Sequence, residues 1–363
     1  MKYKSMKQKW ATKRKAVKMA VQTEQASRVR NGQGVEPCRA DTFNASAVRV
    51  SKDVTLNRNS YIGGSDIAAI MGMSRWSTPL KLWAVKTGKL EAPDLSTVEA
   101  VEMGIKLEQF VADLFSEKTG KSVRRAPKVY QHPDYDYMAA HIDRLVTGTD
   151  ELLECKTCSA FKKDEWENDE IPQEYILQVM WQLGITGRKI GHIAVLIGGQ
   201  SFKYKKIQFD EELFQSMVES AKEFWKHVQE DTPPDIMPDD DETLKDLYSA
   251  STEVMIELYP EDDRTAQACA SLEEKTGYLQ EIKSHIRNLQ TEQKEIETFI
   301  KDIIKDNLGI KTPKYVITWK SQNKVSLDTK RIKEERPEVF EEYSTTTSYR
   351  VMRITNNKET AVK

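Results

Sequence analysis

The stretch HIDRLVTGTDELLECK, His141 to Lys156, places an aspartate, a turn signal and a Glu-x-Lys within one short span. Thr-Gly-Thr-Asp separates two runs of strand-forming residues, so the span reads as a β-hairpin. Side chains alternate along a strand, so Glu154 and Lys156 share a face while Cys155 points the other way. Asp143 lies on the preceding strand, across the turn. Cross-strand neighbours approach to about 5 Å between Cβ atoms, so Asp143, Glu154 and Lys156 converge. Two carboxylates that close repel one another unless a cation sits between them. Mg²⁺ suits such a pair, because it takes hard oxygen ligands in octahedral geometry from one or two carboxylates, waters and phosphate oxygens. The Cys155 backbone carbonyl adds a further oxygen. A surface hairpin with scattered charges is the competing reading, and the rest of the chain has to decide.

The chain has 363 residues, 39% of them hydrophobic and 31% charged. That is enough apolar material for a core beneath a heavily charged surface. No run of about 18 apolar residues occurs, so no membrane span is expected. The basic start, MKYKSMKQKWATKRKAVK, lacks the apolar stretch of a secretory signal. The four cysteines, Cys38, Cys155, Cys158 and Cys269, are too few and scattered for a disulfide framework, so a reducing cytoplasm is the expected setting. The formal net charge is only −2, but charge is segregated. Residues 1–30 are rich in Lys and Arg against the single acid Glu24, while DTPPDIMPDDDE at 231–242 is acidic. Such segregation allows a local track for phosphates.

Residues 1–50 show no sustained apolar period and read as a basic, disordered arm. Residues 51–230 read as one α/β domain, a three-layer core with a mixed central sheet. Its pieces are short amphipathic helices in GGSDIAAIMG and TPLKLWAVKTG, then a long helix over 97–120. Val101, Ile105, Val111, Leu114 and Phe115 form the apolar stripe of that helix, and Gly120 is its C-cap. The hairpin, a helix over 171–187, a second hairpin and a helix capped by Asp210 complete the domain. Residues 231–262 form an acidic, proline-containing linker. Residues 263–308 form a coiled-coil helix, with Leu279, Ile282, Ile286, Leu289, Ile296, Ile300 and Ile303 on a and d and Gln293 as a polar a position. Residues 309–363 read as a small α+β segment, with a hairpin in YVITWKSQNKVSLD, a short helix near DTKRIKEERPEVFEEY and a strand SYRVMRIT.

Three features speak against the bland hairpin. Glu108 sits beside the apolar stripe of the long helix, where a carboxylate needs a reason to be. Gln178 lies on the helix after the hairpin. NRNSYIGGSDIAAIMGMSRWSTPLKLW, 57–83, opens the domain. The order Arg, GGSDIAAIMG, TPLxLW, GxxxE, HxD, ExK and QV…TG, running unbroken over 55–230, resembles the YqaJ-type viral recombinases. These are relatives of phage lambda exonuclease in the PD-(D/E)xK nuclease superfamily. The resemblance implies a restriction-endonuclease-like core and a 5′→3′ double-strand DNA exonuclease that depends on Mg²⁺, with Mn²⁺ able to substitute. It implies metal ligation by Glu108, Asp143 and Glu154, catalysis by Lys156, and a further site residue in Gln178. It also implies that Arg58 and Ser65 hold a terminal 5′-phosphate. Residue types agree: Gly63 and Gly64 let backbone approach an anion, Ser65 reads as a helix cap, and Arg58 can clamp phosphate. Double-stranded DNA ends, a RecT-type single-strand annealing protein and further copies of the chain in a ring are the implied partners, in the cytoplasm of a phage-bearing bacterium. An endonuclease of the same superfamily, or an inactive DNA-binding scaffold, are the alternatives.

Cys155-x-x-Cys158 lacks the further cysteines that an iron–sulfur nuclease distributes along its chain. Trp83 reads as core. Trp76 stays open between core and a platform for an unpaired base.

Overall fold

The computed structural model describes residues 49–51, 58–167, 170–250, 255–259, 261–346 and 352–354. The chain divides into two compact units at Tyr248 and Ser249. The basic arm expected over 1–50 lies outside the described residues, save for its last two.

The first unit is built on a six-stranded mixed sheet in the order β1-β2-β3-β4-β5-β6. The strands are β1 (Arg49–Ser51), β2 (Val123–Gln131), β3 (Ala139–Val146), β4 (Glu151–Cys158), β5 (Ile190–Ile197) and β6 (Ser201–Gln208). The expected hairpin is β3–β4. β4 runs parallel to β5, from Glu151↔Ile190 to Cys158↔Ile197, and the other neighbours are antiparallel. A parallel pair needs a crossover, and the helix over 171–187 belongs to it. Helices cover both faces, giving the expected three-layer α/β architecture with a mixed central sheet. They are α1 (Gly64–Ile70), α2 (Pro79–Lys86), α3 (Glu99–Thr119), α4 (Gln173–Thr186), α5 (Glu211–Gln229) and α6 (Asp241–Leu247).

On one face α3 sets Val111, Ala112 and Phe115 against Val146, Leu153, Ala194 and Leu196. Gly120 ends α3 at φ 71°, the left-handed C-cap expected of it. The expected stripe holds only for the second half of the helix. Ile105 is 71% exposed, because Gly104 and not Ile105 faces the sheet at this turn, a Cβ there lying 3.5 Å from Thr157 Oγ1 on β4. On the other face α1, α4 and α5 share the larger core, with Ile67, Leu177, Trp181, Leu183 and Phe214 fully buried. Trp83 belongs to this core, and its indole N–H donates to the His227 carbonyl at 3.1 Å. Asp210 caps α5 by accepting the Leu213 N–H at 2.9 Å.

The first unit continues past residue 230. Asp240, wholly buried, accepts from the Thr78 hydroxyl at the start of α2, and α6 packs Leu244 and Leu247 on the larger core. Part of the acidic stretch expected to be linker is therefore folded.

The second unit contains α7 (Asp263–Ile304), β7 (Gly309–Lys311), β8 (Val316–Thr318), α8 (Thr329–Glu335) and α9 (Pro337–Tyr343). β8 pairs with β7, so the partner of YVIT precedes it, and the stretch after Trp319 expected to pair with it is irregular. The expected short helix is two helices broken at Arg336–Pro337, as the ring of a proline demands. Of the strand expected at SYRVMRIT, only residues 352–354 are described, and they are irregular.

Candidate nuclease site

β3 and β4 are paired only at Arg144↔Leu153 and Leu145↔Leu152. Beyond Leu153 the ladder gives way to a side chain: Asp143 Oδ2 accepts the Cys155 N–H at 2.8 Å. The N–H and C=O of one strand residue point the same way across the sheet, so the Cys155 carbonyl faces the same opening. This is where the site forms.

Glu154 is buried, and three side chains converge on its carboxylate. Its Oε1 lies 2.6 Å from Lys156 Nζ and accepts from Gln178 Nε2 at 2.6 Å. Its Oε2 accepts from Gln182 Nε2 at 2.7 Å. Lys156 Nζ also donates to Gln178 Oε1 at 3.0 Å and lies 5.0 Å above the Tyr175 ring. Gln178 and Gln182 are one helical turn apart on α4, so a single helix face delivers both. Gln182, which the sequence did not single out as a site residue, donates to the His141 carbonyl as well, at 2.9 Å.

Burial and the Glu154 charge push the Asp143 carboxyl up to about 8 from its ordinary value of 3.8. Burial works against the Lys156 ammonium, but Glu154 and Asp143 outweigh it and hold its pKa above the ordinary value. Burial and the same two carboxylates push the Cys155 thiol up, so it stays protonated and unreactive.

Glu108 reaches this region through an intermediary. It pairs with Arg144, which is 2% exposed and also donates to the Asp143 carbonyl at 2.8 Å and to Gln109 Oε1 at 3.1 Å. A buried guanidinium needs a counter-charge, and Glu108 supplies it. No local sequence signal links residues 108 and 144. Among the described residues no three Asp, Glu, His or Cys side chains form a ready metal cage. Asp143 and Glu154 nevertheless suit a hard divalent cation. Both offer hard carboxylate oxygens, and a cation held between them would offset the burial and mutual repulsion of the pair.

A second cluster adjoins the first. Arg58 donates to Ser65 Oγ, to Tyr61 Oη at 3.2 Å and to Asp66 Oδ1 at 3.2 Å. Buried Lys86 bonds the carbonyls of Arg58 and Tyr61 at 2.7 and 2.5 Å and Asp66 Oδ2 at 3.0 Å, fixing the turn that carries Arg58. Ser65 lies inside α1, not at its cap; Gly63 is the cap, and Asp66 takes its N–H at 3.0 Å. The glycine pair serves close approach. A Cβ on Gly63 would meet Arg58 Nη1 at 2.9 Å, and one on Gly64 would meet Gln178 Cγ at 3.2 Å. Tyr61 Oη, 3.0 Å from His141 Nε2, joins this cluster to β3 two residues before Asp143. Trp76 is 57% exposed, with Arg75 over its ring and Tyr175 beside it, so it lines the rim near Lys156. Cys155 and Cys158 are both free thiols.

Residues 53–189, which hold every one of these side chains, match the model of the YqaJ-like viral recombinase domain. The chain is 34% identical over 316 residues to the uncharacterized protein YqaJ of Bacillus subtilis (strain 168), covering 86% of this chain and 96% of that one. The chain belongs to the YqaJ family. Among solved structures it is similar to an alkaline exonuclease from Laribacter hongkongensis, at 19% identity and a TM-score of 0.41 over 48% of this chain and 90% of that one. A phage-related exonuclease from Haemophilus somnus 129PT is similar at 14% identity and a TM-score of 0.37, over 47% of this chain and 96% of that one. Among the described residues of this YqaJ-family chain, no helix is long and apolar enough to cross a membrane.

Proposed function

We propose that this YqaJ-family protein is a Mg²⁺-dependent nuclease that degrades double-stranded DNA from its 5′ ends and leaves 3′ single-stranded tails for phage-type recombination. The observation that carries the reading is the meeting of Asp143, Glu154, Lys156 and Gln178 at one opening of the sheet, with the Arg58–Ser65 cluster against it. Membership of a viral recombinase family supports it.

Asp143, Glu154 and the Cys155 carbonyl would hold the cation, and the same reading assigns Glu108, which pairs with Arg144, as a further carboxylate ligand. Bound there, a divalent ion lowers the pKa of water and neutralises charge on a phosphodiester. Lys156 stays charged and presents a point positive charge where negative charge builds on the reacting phosphate. Gln178 and Gln182 fix the rotamer of Glu154 by bonding one oxygen each. Arg58 and Ser65, already in contact, grip a terminal 5′-phosphate and set the scissile bond at the carboxylates. The same reading assigns an annealing protein of the RecT type as the receiver of the 3′ tails, and a ring of copies around the duplex.

Linear duplexes labelled at either terminus test this, digested with Mg²⁺ or Mn²⁺. Early release of the 5′ label, faster on 5′-phosphorylated than on 5′-hydroxyl ends, is expected. Cleavage of closed circles as fast as linear DNA would indicate an endonuclease instead. Absence of cleavage on any substrate would leave an inactive DNA-binding scaffold.

A further inference from the structure

Helix α7 spans 42 residues, about 60 Å, and is exposed along nearly its whole length. Its heptad residues do not turn inward. Ile286, Leu289 and Ile296 are 48%, 64% and 54% exposed, and Ile304 alone on the helix is buried. An apolar seam of that length does not stay in water when a complementary seam is available.

We infer that α7 is an interaction surface for a second copy of this chain, lying antiparallel to the first. The seam is palindromic. Reversed on itself about residue 291, it sets Leu279 against Ile303, Ile282 against Ile300, Ile286 against Ile296 and Leu289 against Gln293 of the second copy. Every layer joins an a to a d position, and one two-fold axis relates them all, so the contact closes. Gln293, the polar member, already donates to Glu297 Oε1 on its own helix at 2.9 Å and enters the seam with that bond made.

The flanking charges choose the direction. In an antiparallel pair the e positions face one another, which puts Lys283 beside Glu297 of the second copy, twice by symmetry, and Gln290 beside its own equivalent. In a parallel pair g faces e, which puts Glu292 beside Glu297 twice, like against like. The g positions also face one another, which sets Glu292 against its own equivalent once; antiparallel association therefore gives two pairs of opposite sign and one like pair, against two like pairs and none of opposite sign in the parallel arrangement.

Light scattering and sedimentation of the full chain test the inference. Ile286→Lys/Ile296→Lys is expected to halve the particle mass; a mass equal to that of the unaltered chain overturns the proposal. Charge variants that leave the seam intact guard against misfolding. Glu297→Lys sets lysines against each other and is expected to weaken self-association by about three- to tenfold, and Lys283→Glu/Glu297→Lys restores it. A parallel pair would be strengthened by Glu297→Lys. Under mild oxidation, Gln290→Cys is expected to give covalent dimers above the background of the native thiols, and Ile286→Cys is not. The reverse pattern would reject the antiparallel arrangement.

Discussion

Helices α4 and α7 each carry a glycine in their interior, and the two glycines are there for opposite reasons. On α4 a Cβ at Gly184 would meet the Phe214 ring at 2.1 to 2.4 Å; on α7 a Cβ at Gly277 meets nothing within 4 Å. α4 is buried along nearly its whole length, and its neighbours dictate each side chain. α7 is exposed almost throughout, and only its heptad spacing carries information. The difference teaches that in this chain apolar periodicity finds helices, while the choice between core and seam depends on what else is near.

The largest expected effect tests what α4 supports. Lys156→Ala removes the ammonium held beside Glu154 and Gln178 and is expected to lower the initial rate of DNA digestion by about a thousandfold. DNA binding, read by gel shift, should stay within a few-fold. An undiminished rate would detach the cluster from the chemistry.

Next comes Gly184→Ala. The added methyl overlaps Phe214, so chemical denaturation is expected to show a loss of about 3 kcal/mol or more. A neutral result would mean that α4 and α5 separate more easily than their packing indicates.

Asp143 gives a smaller effect with a definite sign. Its folded carboxyl titrates near 8, against an ordinary 3.8, so folding takes up a proton between those values. Stability from this group is full below about 4 and falls as pH rises towards 8. With chelator at pH 8, Asp143→Asn is therefore expected to melt roughly 2–8 °C higher than the unaltered chain, about 1–2 kcal/mol. The gain should shrink at pH 5, and Mg²⁺ should stabilise only the unaltered chain. Smallest is Gly277→Ala, expected to raise the stability of the second unit by about 0.5–1 kcal/mol, since an unobstructed helix interior prefers alanine. A loss there would reveal a neighbour against α7.

The hairpin and its alternation were legible in HIDRLVTGTDELLECK, because a period of two and a turn signal are local. Glu154 and Lys156 emerge on one face as that period requires. The long helices were legible too, through Gly120, Asp210 and the heptads. What stayed hidden depends on pairs distant in sequence. Nothing near Glu108 announces Arg144, and nothing in YVITWK announces that its partner is Gly309–Lys311. Ile105 was read onto the same stripe as Val111, yet its neighbour Gly104 is the residue that faces Thr157 on the sheet, and Ile105 turns to solvent. Gln182 belonged to a visible helix face, but only the position of Glu154 gives its amide a task.

The short ladder between β3 and β4 has a further consequence. Because the Cys155 amide leans on the Asp143 carboxylate and not on a neighbouring strand, whatever that carboxylate holds is felt by the backbone of β4. Protonation, ion loading and substrate arrival each redraw the charge on one oxygen pair, so the deuterium uptake of that single amide becomes a gauge of the site's occupancy, legible without a turnover.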